Sequence, residues 1–358
     1  MDNSNLMNNN GEYYPQGQMI PPPDPTTDPA FIKKKTGQAV NRTSGALVIH
    51  FLILQLVASV IQGVQMGMYM SQGHSMQEFL DFYTTDGFYM LVCNALAYMV
   101  AHPLAYIIGL AFTGRIKGSA KMFRKPDISP KLMLAAFGSA LGLQGVSMLF
   151  QIIFTMVTGS SGVENMNMDM LSYGGNTTKN IVLFLYMVIL GPIGEELILR
   201  GMALKNLSCT NRVFAMVCTS VMFGLFHGNI MQFIVGFLLG MLFAYLTLKS
   251  GSIIPAIIFH ITNNAIAFIM GVVQYHATEE FMNVFSYIYL AVLLIAGIFS
   301  GLYLLKHLRS KPYPDSEYTP VYDVPAEAQK SYSWNLAFKS PCFWVFSIIY
   351  ILYIIANI

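Results

Sequence analysis

Apolar residues in this chain gather in long uninterrupted blocks, separated by shorter polar stretches, and do not alternate along strands. Backbone polar groups cannot stay open in hydrocarbon, so an apolar block of about 20 residues reads as a helix crossing a bilayer. Such blocks fall at about 45–68, 87–112, 131–157, 180–204, 212–228, 231–248, 253–273 and 282–305. A further block at 342–358 reads either as a ninth span or as a helix lying against the membrane. Short alternating segments, the signature of a membrane barrel, are absent from this pattern. The expected fold is an all-α polytopic membrane protein with an eight-helix transmembrane core and, at 342–358, an additional C-terminal membrane helix.

Composition agrees: 11% of the 358 residues are charged and 54% hydrophobic, against the roughly 25% charged usual in soluble domains. Residues 1–43 are polar, with Asn8 to Asn10, Pro21 to Pro23, Pro25 and Pro29, and lack the apolar core of a cleavable leader. They read as a disordered N-terminal tail. The division that follows is a membrane domain over 44–309 with its motifs at 180–270, a polar cytoplasmic tail at 310–341, and the terminal apolar helix.

Charge then orients the spans. Lys33 to Lys35 and Arg42, the cluster Arg115, Lys117, Lys121, Arg124, Lys125 and Lys131, then Lys205, Arg212, Lys249, Lys306, Arg309 and Lys311 fall on one side. Glu78, Asp81, Asp86, Glu164, Asp169, Glu279 and Glu280 fall on the other, with Lys179 the main exception. The positive-inside rule puts the N-terminus in the cytoplasm. The net charge of +2 indicates no nucleic-acid partner, and the four scattered cysteines indicate neither a disulfide framework nor a metal motif.

Chemistry enters with ionisable side chains inside the apolar blocks, where they are costly and mark function or tight pairing. The fourth span carries Glu195, Glu196 and Arg200. Glu196 and Arg200 are one turn apart and can pair, while Glu195 projects about 100° away and stays available. The fifth span carries Phe223 and His227, and the seventh His260 and Asn264, again one turn apart. Spacing alone leaves three readings open: a hydrolytic site, a transport or ion path, and a noncatalytic scaffold joined by polar side chains. Gly236 and Gly240 have the spacing of close helix contacts, and His50 and His102 have ordinary bonding roles open to them.

Taken together, Glu195-Glu196-x-x-x-Arg200, Phe223-x-x-x-His227 and His260-x-x-x-Asn264 resemble the CPBP family of intramembrane glutamic endopeptidases, the CAAX protease and bacteriocin-processing, or Abi, family. The resemblance also takes in Gly191 to Gly194, Gly201, the run from Phe233 to Leu248, and Ser252 to Ala256. It implies an intramembrane protease with Glu195 as general base, His227 as its partner, His260 and Asn264 completing the site and stabilising the oxyanion, and Glu196 and Arg200 in support. It also implies a membrane-associated peptide or lipidated protein as substrate, membrane lipids as surroundings, and a prokaryotic plasma membrane. A bacteriocin-immunity role without catalysis is the alternative within the same resemblance. Oligomeric state is left open.

Side-chain chemistry is compatible with glutamate-activated water, and the resemblance implies that mechanism with no cofactor. Glu195, His227 and His260 are also suitable zinc ligands in type, but no HExxH motif is present. Depth poses a difficulty, since this span map leaves His227 near the far end of its helix. A convergent site therefore predicts an interfacial or re-entrant helix within 201–215. The terminal block is expected to serve stability more than chemistry.

Overall fold

The computed structural model describes residues 28–114, 119–161, 168–209, 211–307, 313–322, 324, 328 and 332–356. Arg115, Lys117, Glu164, Arg309 and Lys311 of the charge pattern, and residues 1–27 of the N-terminal tail, lie outside them. Helices follow one another: α1 (Pro29–Ser71), α2 (Met76–Asp86), α3 (Phe88–Thr113), α4 (Pro130–Thr158), α5 (Thr177–Leu207), α6 (Arg212–Phe226), α7 (Ile230–Ser250), α8 (Ile254–His276), α9 (Glu279–His307), α10 (Trp334–Phe338) and α11 (Pro341–Ala356). Among the described residues there is no strand. Seven helices, α1, α3, α4, α5, α7, α8 and α9, are long and apolar enough to cross a bilayer. Their outward faces carry exposed side chains such as Leu134, Ile153, Val284, Phe299 and Leu302, as lipid contact requires. The chain is an all-α multi-pass membrane protein.

The expected eight full spans become seven, because α6 is only 15 residues long, about 22 Å against a hydrocarbon core of about 30 Å. Asn211 caps its start through Phe214 N at 3.0 Å, and the chain turns back at Gly228, whose φ is +67°. Such a turn at membrane depth is tolerated where protein covers it and its polar groups are met. Here Asn229, 1% exposed, accepts from Gln232 N at 2.8 Å and donates to the His227 carbonyl at 3.1 Å.

The first tail boundary also moves. Asp28 caps α1 and Pro29 occupies its first turn, a position where the missing N–H costs nothing. Ile32, Thr36, Val40, Thr43 and Leu47 make a buried stripe at helical spacing. Residues 29–43 are therefore ordered helix, held by Asn206, which donates to the Ala39 carbonyl at 3.0 Å and to Thr43 Oγ1.

The polar stretch after α9 folds onto the bundle end that carries Lys205 and Arg212. Lys205 pairs with Glu317 at 3.0 Å, Arg212 Nε donates to the Tyr318 carbonyl at 3.0 Å, and Val321 N donates to the Cys209 carbonyl at 2.8 Å. Tyr318 is fully buried, which pushes its phenol well above the usual range and keeps it neutral.

Close backbone contact fixes the remaining pairs. Gly142 of α4 meets Gly297 of α9 with no room for a side chain on either. Gly236 and Gly240 bring α7 against Gly224 and Ser220 of α6, so this small-residue stripe serves a contact within the chain.

Candidate functional site

Helix α5 is not uniformly α-helical. Leu185–Leu190 and Leu197–Leu204 have π-helical pitch, with six α-helical residues, Gly191–Glu196, between them. A π turn passes over one regular hydrogen bond and exposes a carbonyl, a feature common at functional sites. One such carbonyl, that of Met187, accepts from Asn264 Nδ2 of α8 at 2.8 Å. Asn264 is in turn joined to Asn263 at 3.2 Å, and Asn263 to Gln144 of α4 at 2.6 Å.

The acidic pair divides as its angular spacing on the helix requires. Glu196 is completely buried, whereas Glu195 keeps 18% of its side chain exposed. Glu196 Oε1 receives Arg200 Nη1 and His260 Nδ1, each at 3.0 Å. Arg200 is itself buried, donates through Nη2 to the Gly240 carbonyl at 3.1 Å, and lies over the rings of Phe223 at 4.8 Å and Phe243 at 5.6 Å. A buried ion pair needs such additional partners to offset its desolvation. Among the described residues Glu196 Oε2 and Arg200 Nε have no hydrogen-bond partner.

His260 connects the two carboxylates. A carboxylate only accepts, so Nδ1 carries the hydrogen and Nε2 faces Glu195 Oε2 at 3.7 Å. That separation exceeds a direct hydrogen bond and suits a site that tightens around substrate. His227 follows the last residue of α6, and its Nδ1 lies 2.9 Å from the Phe223 carbonyl. Its Nε2 is then left as the acceptor of the neutral ring. The Phe223 ring meets both imidazoles, at 5.0 Å from His227 and 5.3 Å from His260.

Glu195, Glu196, Arg200 and His260 thus form one contact group, with His227 joined to it through Phe223 and Asn264 tied to the π segment. The expected re-entrant helix at 201–215 is not formed: α5 continues to Leu207 and α6 starts at Arg212. The short α6 removes the need for it. Glu195 lies twelve residues from the end of α5, about 18 Å, against about 22 Å for the whole of α6. Among the described residues no three His, Cys, Asp or Glu are grouped to hold a metal.

Residues 177–266 match the model of a family described as type II CAAX prenyl endopeptidase Rce1-like. The site-bearing segment is Rce1-like. The Rce1-like stretch starts at the first residue of α5 and extends just past Asn264, and so includes all seven residues singled out by the motifs. It agrees with the CPBP resemblance, and the family is one of proteases. No curated protein and no solved structure matches the chain.

Several neighbours carry no sequence motif. Tyr98, Tyr186 and Tyr350 are all within electrostatic reach of Glu195, and His102 packs against Gly194. His102, as an imidazole, and Gln144, as an amide, each offered a signal inside an apolar block, and the tyrosines offered none.

Proposed function

We propose that this chain is an intramembrane CAAX-type endopeptidase that uses Glu195 to activate water against a membrane-associated, prenylated substrate. The observation that carries the reading is the buried Arg200–Glu196–His260 series ending on the accessible Glu195, inside the segment that matches an endopeptidase family. Arg200 holds Glu196 as a carboxylate, and Glu196 fixes the ring and tautomer of His260. His260 Nε2 then faces Glu195 Oε2 at 3.7 Å, placed to take over a proton that Glu195 gains from water. Water placed between Glu195 and His227 loses a proton to Glu195 as its oxygen attacks the scissile carbonyl. Asn264 keeps a second amide hydrogen for the developing oxyanion. The proton on Glu195 or His260 passes to the leaving amine, so no covalent acyl-enzyme forms.

The test is purified chain in nanodiscs with a farnesylated peptide ending in a CAAX sequence. Release of the terminal tripeptide, identified by mass, is the expected result. Sustained lack of cleavage across a diverse set of lipidated peptides, with binding demonstrated, would sink the reading, and ion flux in proteoliposomes without cleavage would replace it with transport.

The same reading sets the orientation in a prokaryotic plasma membrane, with the N-terminus, the α3–α4 connection and the segment after α9 in the cytoplasm. Charge supports it, because Lys205, Arg212 and Lys249 share one end of the bundle. Single cysteines at 114–130 should label only in inside-out vesicles, and those at 158–179 only in intact cells. The reverse pattern would overturn the orientation.

A further inference from the structure

The terminal helix α11 packs along α1 and α6. Phe346, Tyr350 and Ile354 form its buried stripe, while Ile348, Ile351, Leu352 and Ile355 face outward. Its contacts converge on one place. The Tyr350 ring stacks on Phe226 at 5.4 Å and an interplanar angle of 24°, and His50 of α1 stacks on the same ring at 5.3 Å and 28°. One turn further along α11, the ring edge of Tyr353 lies over Gly228, in space that any Cβ there would fill. Phe226 and Gly228 are the chain neighbours of His227 on either side. His227 is also held by its Nδ1, on the Phe223 carbonyl and against Gly236, by the Phe223 ring at 5.0 Å, and by Asn229, which donates to its carbonyl at 3.1 Å.

We infer that α11 is a positioning element for His227, with Tyr350 and Tyr353 fixing the two residues that flank it and thereby the direction of its free Nε2. The inference rests on the proposed pairing of His227 with Glu195. It departs from the expectation that 342–358 serves stability more than chemistry. The backbone bonds of this turn, His227 N to the Gly224 carbonyl at 3.3 Å and Gly228 N to the Leu225 carbonyl at 3.0 Å, set its main chain and leave the imidazole to be placed by packing from neighbouring elements. Gly228 is what admits that element, since its left-handed backbone already favours glycine and its bare face takes the Tyr353 ring. Tyr353 acts through His227, while Tyr350 also lies within electrostatic reach of Glu195.

The experiment follows the His227 imidazole by nitrogen-15 NMR in the full chain in nanodiscs, with His260 as internal control, alongside single-turnover cleavage. Tyr353→Ala should shift or broaden the His227 signal and leave that of His260 in place. It should lower the cleavage rate about 10-fold or more, the scale of a misplaced catalytic group, with KM within about twofold. Tyr350→Ala should act likewise and Tyr350→Phe, which keeps the ring, should behave as the parent. If Tyr350→Ala does not fold, Tyr353→Ala carries the test, because that side chain is 47% exposed. An unchanged His227 signal, or equal disturbance of His227 and His260, would overturn the inference. A shifted His227 signal in a chain whose parent cleaves nothing would uphold the positioning role and reject the peptidase reading instead.

Discussion

Glu195→Gln should lower single-turnover cleavage by at least roughly 100-fold, the lower range for removing acid–base catalysis, while folding and substrate binding persist. Glutamine keeps the shape and most hydrogen-bonding capacity but cannot take a proton from water. It also removes the carboxylate that His260 Nε2 faces at 3.7 Å. Glu195 is the carboxylate that substrate can reach, since its neighbour Glu196 is sealed at 0% exposure. Glu196→Gln should accordingly have a smaller effect on rate, through a less firmly held His260. Cleavage is compared at matched substrate occupancy with metal analysis of the same preparations. Near-normal turnover by Glu195→Gln would remove it from the role of base. A stoichiometric metal whose removal and return abolish and restore cleavage would put zinc in its place.

The second large effect concerns Arg200. Arg200→Met leaves Glu196 fully buried with the hydrogen bond from His260 Nδ1 but without its guanidinium partner. Removing one member of a buried ion pair costs about 3–5 kcal/mol, mostly because the other charge stays unpaired. Reduced yield of monodisperse protein and earlier unfolding in detergent titration should report it. The double variant Glu196→Gln with Arg200→Met abolishes both charges and should recover most of that stability. It should not recover activity, because the neutral amide put in place of the Glu196 carboxylate would hold His260 less firmly. Full stability in Arg200→Met alone would show the pair to be dispensable.

What could be read from the sequence was set by helical spacing and by the cost of ionisable groups in hydrocarbon. Glu196 and Arg200 pair as the one-turn spacing requires, and Glu195 stands apart from them. What escaped was tertiary. Hydropathy joined 212–228 into one span because nothing in apolarity marks where α6 must stop, and a buried turn capped by Asn229 stops it. Pro29 and the polar residues after it looked disordered until Asn206 and the buried Thr36 and Thr43 supplied their partners. Glu196 was expected to answer to Arg200, and its second bond, to His260, depends on how α5 and α8 cross. The tyrosines around Glu195 come from α3, α5 and α11, and no local pattern ties such distant positions together.

The two π stretches of α5 set the angular register of the site. Each inserted residue turns everything beyond it by about 100° relative to an unbroken α-helix. Leu185–Leu190 thus determines how Glu195 and Glu196 face relative to the start of α5, and Leu197–Leu204 how they face relative to its other end at Lys205 and Asn206. Both ends are anchored, Asn206 on α1 and Asn180 on the Gly174 carbonyl at 2.7 Å. Between fixed ends, a change of one residue in either stretch has to be absorbed as rotation of the short segment that carries the carboxylates. The length of this helix, counted in single residues, therefore shapes the site as much as the identity of the glutamates on it.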